Sequence, residues 1–153
     1  MKISDYLRSD LCIMQMQAKT KEEAVKEISL KLAQEGKIND MDKFIRDILE
    51  REGLGSTGIG HGIAVPHART DTVSDFVIGF GRSSEGINFN AIDGENVNLI
   101  FLMGANPKEL NLYLRLLAEL SKFLMKASFR RELMEAKGGD DVLAAIKRSE
   151  EEQ

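Results

Sequence analysis

The chain has 153 residues, 42% of them hydrophobic and 30% charged, an ordinary globular balance long enough to bury a core without disulfide or metal support. Its 21 basic and 25 acidic residues leave a net charge of −4, which speaks against nucleic acid as the main partner, since a phosphate backbone demands a basic surface. One cysteine, Cys12, excludes an internal disulfide. The start MKISDYLRSD is too polar for a signal peptide, and no run approaches the roughly 18 apolar residues of a membrane span, so a reducing cytoplasm is the expected home.

In chain order, Leu11 to Gln17 alternates apolar and polar residues, as a half-buried strand does, with Cys12 as a small core residue. Thr20 and Glu23 form a capping-box pair. Behind them Ala24, Val25, Ile28, Leu32 and Ala33 recur at helical spacing until Gly36. Asp40 caps a second helix with Phe44, Ile45, Ile48 and Leu49 on one stripe, closed by Gly53. A glycine-rich stretch follows to Gly62, then short strands at Ile63–Val65, Phe76–Phe80 and Val97–Met103. The last, VNLIFLM, is nearly all apolar and belongs at the centre of a sheet covered on both faces. Asn106, Pro107 and Glu109 start a long helix through Leu110, Leu114, Leu117, Leu120 and Leu124. Two shorter helices span about Phe129–Ala136 and Asp140–Arg148, and the tail from Ser149 to Gln153 reads as frayed. Interleaved helices and strands with no linker predict a single three-layer α/β domain over residues 1–153, a mixed β-sheet with helices on both faces.

GLGSTG, residues 53–58, matches the dinucleotide pattern G-x-G-x-x-G, but it follows a helix and leads into a strand, the reverse of what that fingerprint needs. No nucleotide P-loop, no zinc-type ligand spacing and no serine-hydrolase elbow is present, so neither a cofactor nor a metal is expected. The two histidines both fall in GIGHGIAVPHART. For a lone histidine the plain reading is a loop filler. At His67 the local chemistry argues otherwise. Pro66 stiffens the approach and holds Val65 extended, and the glycines free main-chain N–H groups to face an anion. A neutral imidazole is a nucleophile near neutral pH, and Arg51, Ser56, Thr57 and Arg69 lie close in sequence as donors to phosphoryl oxygens. Phosphoryl transfer at His67, on a surface loop, is the chemistry these residue types allow.

The stretch LEREGLGSTGIGHGIAVPHA resembles the phosphorylation-site region of enzyme IIA domains of the fructose/mannitol type, in the phosphoenolpyruvate-dependent phosphotransferase system. The resemblance runs on through FNAIDGENVNLIFLM and LLAELSKFL, from about Leu11 to Ile146. It implies the mannitol-type IIA fold. It also implies that His67 accepts and donates a phosphoryl group, taken from a phosphohistidine on HPr or its nitrogen-branch relative. Arg51 would steady the phosphoryl oxygens or the partner interface. Ser56 and Thr57, with Arg69, would shape the phosphoryl pocket, and His61 would be a solvated loop residue. With no attached IIB, IIC or HPr-like segment, the chain is most similar to the stand-alone nitrogen-regulatory branch, IIA-Ntr. A regulator acting on target proteins is therefore the first expectation, and a carrier passing phosphate to a sugar-transport IIB cysteine is the alternative. A binding module that never carries phosphate stands outside both, and a weak homodimer stays open. One departure matters. Many family members carry a second active-site histidine where this chain has Tyr113, in YLRLLAEL. A phenol can donate one hydrogen bond but carries no positive charge near pH 7. A hydrogen-bonding role and a plain half-buried helix residue are both open for it.

Overall fold

A computed structural model describes residues 1–152. Its centre is an antiparallel pair, β5 (Phe76–Ile87) and β6 (Val97–Ala105), in register from Phe76 opposite Ala105 to Arg82 opposite Leu99. Every residue of β6 except Asn98 is buried, as its unbroken apolar run requires. β1 (Cys12–Ile13) adds in parallel to the outer side of β5. Along the other side of β6 run β3 (Ile63–Ala64) and then β4 (His67–Arg69), both parallel to it. β2 (Gly58–Gly60) pairs with β3 alone. Among the described residues β4 therefore has no strand on its far side, and His67 stands on a sheet edge.

Helices α1 (Lys21–Gln34) and α2 (Met41–Gly53) start at Thr20 and Asp40, whose side chains accept the N–H groups of Glu23 and Lys43. Both helices lie on one face of the sheet, brought close by glycines. A Cβ at Gly79 would stand 2.7 Å from Ile28 and one at Gly104 2.6 Å from Phe44. Phe44 is wholly buried there, a contribution of roughly 2–3 kcal/mol from hydrophobic transfer. That contact fixes the last turn of α2, and with it Arg51, beside β4. Ala68 pairs with Gly104 and shares this face, so the pleat sends His67 and Arg69 to the other. Helix α3 (Leu110–Leu124) covers that second face and sets Tyr113 against His67. Helices α4 (Ala127–Glu135) and α5 (Gly139–Glu151) follow, and Ser4 ties the N-terminal turn to Glu150 on α5 at 2.6 Å. The α/β class, the mixed sheet and the helices on both faces are those the sequence predicts.

The details differ in several places, among them β2 and β4, which form where the sequence reads as glycine-rich stretch and loop. The strand expected over Leu11–Gln17 is only two residues long. After Ile13 the chain leaves the ladder, keeps one bond from Met16 N–H to Arg82 O at 2.9 Å, and tucks the Met16 sulfur against Gly81. β5 runs past Phe80 to Ile87, because the polar RSSEG segment still pairs with β6 through an irregularity between Arg82 and Ile87. Asn106 caps a 3-10 turn over Pro107–Glu109, and the α-helix begins only at Leu110. The C-terminal helix continues to Glu151 with Ser149 buried, where the sequence reads as a loose tail; Gln153 lies outside the described residues.

Candidate functional site

His67 opens β4 and is half-buried rather than on a free surface loop. Its Nδ1 lies 2.6 Å from the carbonyl oxygen of Val65. A carbonyl can only accept, so Nδ1 carries the proton and the lone pair belongs to Nε2. Pro66 makes this geometry: it holds Val65 extended, and its own carbonyl accepts the Met103 N–H at 3.0 Å, locking the short connection to the sheet. Burial pushes the imidazole below its ordinary pKa. The Val65 carbonyl opposes that, Arg51 adds to it, and Glu52 opposes it. The net result is a neutral, oriented nucleophile.

Arg51 and Arg69 supply positive charge. Arg51 sits in the last turn of α2 and donates to Gly55 O at 3.1 Å, while Arg69 shares the strand face of His67. Neither forms an ion pair with a described residue. Both guanidinium groups act on the Tyr113 phenol, lowering its pKa against the larger upward push of burial. The Tyr113 ring lies 5.8 Å from the His67 ring, tilted by 55°, and the residue is only 6% exposed. Arg51, Arg69 and Tyr113 line one depression of about 730 Å³, with Leu54 exposed beside them and Asp47 and Glu50 on the rim. His67, Arg51, Arg69 and Tyr113 thus come together from β4, α2 and α3.

Ser56 and Thr57 are differently engaged. Ser56 Oγ donates to Phe89 O at 2.5 Å and accepts the Gly58 N–H at 3.0 Å. Thr57 is buried; its hydroxyl donates to Glu52 at 2.6 Å and its N–H to the same carboxylate at 2.9 Å. With both hydroxyl protons directed into the protein, these residues shape the loop wall. His61 is exposed at φ +58° between Gly60 and Gly62, and its N–H donates to Asp93. Glu52 is the residue that sequence reasoning misses. It is a buried carboxylate that joins Thr57 to Lys21, whose Nζ lies 3.1 Å away. A glutamate at the end of a helix reads as solvated charge, and no pattern in the sequence announces it. Among the described residues no cluster of three His, Cys, Asp or Glu side chains could hold a metal ion.

The profile of the family described as "Phosphoenolpyruvate-dependent sugar phosphotransferase system, EIIA 2" matches residues 5–149. The chain belongs to that EIIA family. It is 40% identical over 131 residues to a "PTS system fructose-specific EIIA component" of Haloferax volcanii, covering 83% of this chain and 84% of that protein. It is 37% identical over 146 residues to a "PTS system fructose-specific EIIABC component" of Bacillus subtilis, covering 95% of this chain but only 23% of that much longer protein. Among solved structures, the nitrogen regulatory protein IIA-Ntr of Neisseria meningitidis superposes with a TM-score of 0.88 at 29% identity, over 94% of this chain and 98% of that one. The EIIA fold expected from VPHA and its surroundings is the fold observed, and both the sugar and the nitrogen branches of the family are among its relatives. No helix of the described residues is long and apolar enough to cross a membrane.

Proposed function

We propose that this EIIA domain is a cytoplasmic phosphocarrier in which Nε2 of His67 accepts a phosphoryl group from a phosphohistidine on an HPr-type donor. One observation carries the reading: Nδ1 is held by the Val65 carbonyl, which leaves the lone pair of Nε2 as the nucleophile, on an imidazole on which the Arg51 charge acts. The P–N bond to the donor breaks as the His67 lone pair forms a new one, and the electron pair returns to the donor imidazole. Arg51 and Arg69 neutralise the equatorial oxygens as charge spreads over them, which is most of what phosphoryl transfer asks of a protein. The depression, with Leu54 on its edge, gives room for a partner to bring its phosphohistidine close.

Two fates for the phosphoryl group are supported by different observations. Identities of 40% and 37% to fructose-specific components favour a carrier that passes it to the cysteine of a IIB domain. The close superposition with a nitrogen regulatory protein, together with the loss of a second imidazole at Tyr113, favours a regulator whose phosphorylated and free forms bind targets differently. The carrier is the better supported, because sequence identity is higher on that side; this reverses the order expected from the motif alone. Incubating the labelled protein with fructose-type IIB domains separates them. Rapid loss of label to a IIB cysteine supports the carrier, and retention of label against every IIB tested supports the regulator. Failure of enzyme I and HPr to label the wild type at all leaves only a binding module.

A further inference from the structure

We propose that Glu52 is a positioning residue for phosphoryl transfer, acting through Thr57 and Val65 on the tautomer and aim of the His67 ring. The inference rests on the reading of His67 as the acceptor and deepens it.

A continuous line of contacts carries it. The Lys21 ammonium, in the first turn of α1, lies 3.1 Å from Glu52 Oε2. The Glu52 carboxylate takes the Thr57 N–H at 2.9 Å on that oxygen and the Thr57 hydroxyl at 2.6 Å on the other. The Thr57 carbonyl accepts the Val65 N–H at 3.1 Å, and the Val65 carbonyl accepts Nδ1–H of His67 at 2.6 Å. A side chain on α2 thus reaches the imidazole through two residues, without lining the depression that Arg51 and Arg69 share. Thr57 and Val65 are each only 4% exposed, so water neither competes for these groups nor readily replaces a lost partner. Two bonds to one carboxylate fix both the place and the direction of Thr57. That matters because β2, which starts at Gly58, pairs with β3 through a register shift between Gly58 and Gly60. Val65 in turn belongs to neither β3 nor β4, and Pro66 after it has no N–H to give. Its bond to Thr57 is what anchors it.

The chemistry follows. If Thr57 shifts, Val65 turns with it and Nδ1–H loses its acceptor. The proton can then sit on Nε2 instead, and a protonated Nε2 of a neutral ring has no lone pair for phosphorus. Glu52 itself exchanges no proton during transfer. The P–N bond of the donor breaks as the Nε2 lone pair forms the new one, and the electron pair stays on the donor imidazole. Glu52 therefore sets how much of the protein holds the reactive tautomer, and does so without touching the partner.

The test compares Glu52→Gln, Thr57→Val and Thr57→Ser with the wild type. Nitrogen-15 NMR of the unphosphorylated proteins at about pH 8, where the imidazole is neutral, reads which nitrogen of His67 carries the proton. Labelling from phospho-HPr at varied concentration reads the rate. The wild type should show the Nδ1–H form alone. Glu52→Gln and Thr57→Val should show a share of the Nε2–H form. Both should label roughly tenfold to a hundredfold more slowly at saturating phospho-HPr, with the half-saturating concentration unchanged. Thr57→Ser, which keeps the hydroxyl, should recover both readouts. Thr57→Val keeps the side-chain volume and the N–H, so it reads the line even where Glu52→Gln fails to fold. A folded Thr57→Val protein that keeps the Nδ1–H form and the wild-type rate overturns the inference while the His67 reading stands. So does a loss that appears only as a raised half-saturating concentration. A wild type that takes no label overturns both.

Discussion

The loop that leads to His67 is held from below by one buried carboxylate, so Glu52→Ala is the sharpest probe of how the site is built. Glu52 is 3% exposed at its side chain and Lys21 13%, and the carboxylate also takes both the N–H and the hydroxyl of Thr57. Removing it strands a half-buried ammonium and a buried amide together. Breaking a buried pair from one side costs about 3–5 kcal/mol. For a chain of this size that is a fall in melting temperature of roughly 6–20 °C. Lys21 also lies 5.5 Å from the Phe89 ring, and the Phe89 carbonyl receives Ser56, so the loop loses support from two sides at once. A double-mutant cycle with Lys21→Met, read by thermal unfolding, isolates the pair. The double variant should be less destabilised than the two single changes added together, because it leaves no unpaired charge behind. A Glu52→Ala protein melting within 2 °C of wild type, or a strictly additive cycle, would refute this account of the loop.

Other expectations are independent of that one. Arg51→Ala should slow labelling of His67 by roughly tenfold to a hundredfold while leaving melting nearly unchanged, since the arginine has no ion pair to lose; equal labelling rates would count against its role. His67 should titrate, by NMR, with a midpoint below the free value of about 6.5, because burial disfavours its charged form. The sign for stability follows: the unfolded chain takes up the proton first, so the contribution of neutral His67 is full above about pH 6.5 and is lost as pH falls through the folded value. His61→Gly should raise the melting temperature by about 1–4 °C, since His61 occupies φ +58°, and should leave labelling untouched. Cys12, whose pKa burial pushes up to about 12, should react with iodoacetamide at pH 8 at least a hundredfold more slowly in the folded protein than after unfolding, a hundredfold being two units of thiol pKa.

The sequence carried the elements whose signals are local. Thr20 and Asp40 cap where their side chains say they should, and VNLIFLM is the central strand because every residue in it but Asn98 is apolar. What it could not carry are arrangements made by register. His67 reads as a loop residue because Pro66 breaks the run, yet the chain resumes pairing with β6 at Met103. Ser56 and Thr57 read as free donors, and only the approach of Phe89 and Glu52 turns their protons inward. The meeting of Arg51, Arg69 and Tyr113 depends on the close contact of Phe44 with Gly104, a packing event between residues 60 positions apart that no spacing rule anticipates.

The most direct test of the central claim is nitrogen and phosphorus NMR on the protein labelled with nitrogen-15 and phosphorylated through enzyme I and HPr. Coupling of phosphorus to Nε2 of His67, with Nδ1 still protonated and no signal from His67→Ala, is the predicted result. Phosphorus on Nδ1, or on any other residue, would contradict it.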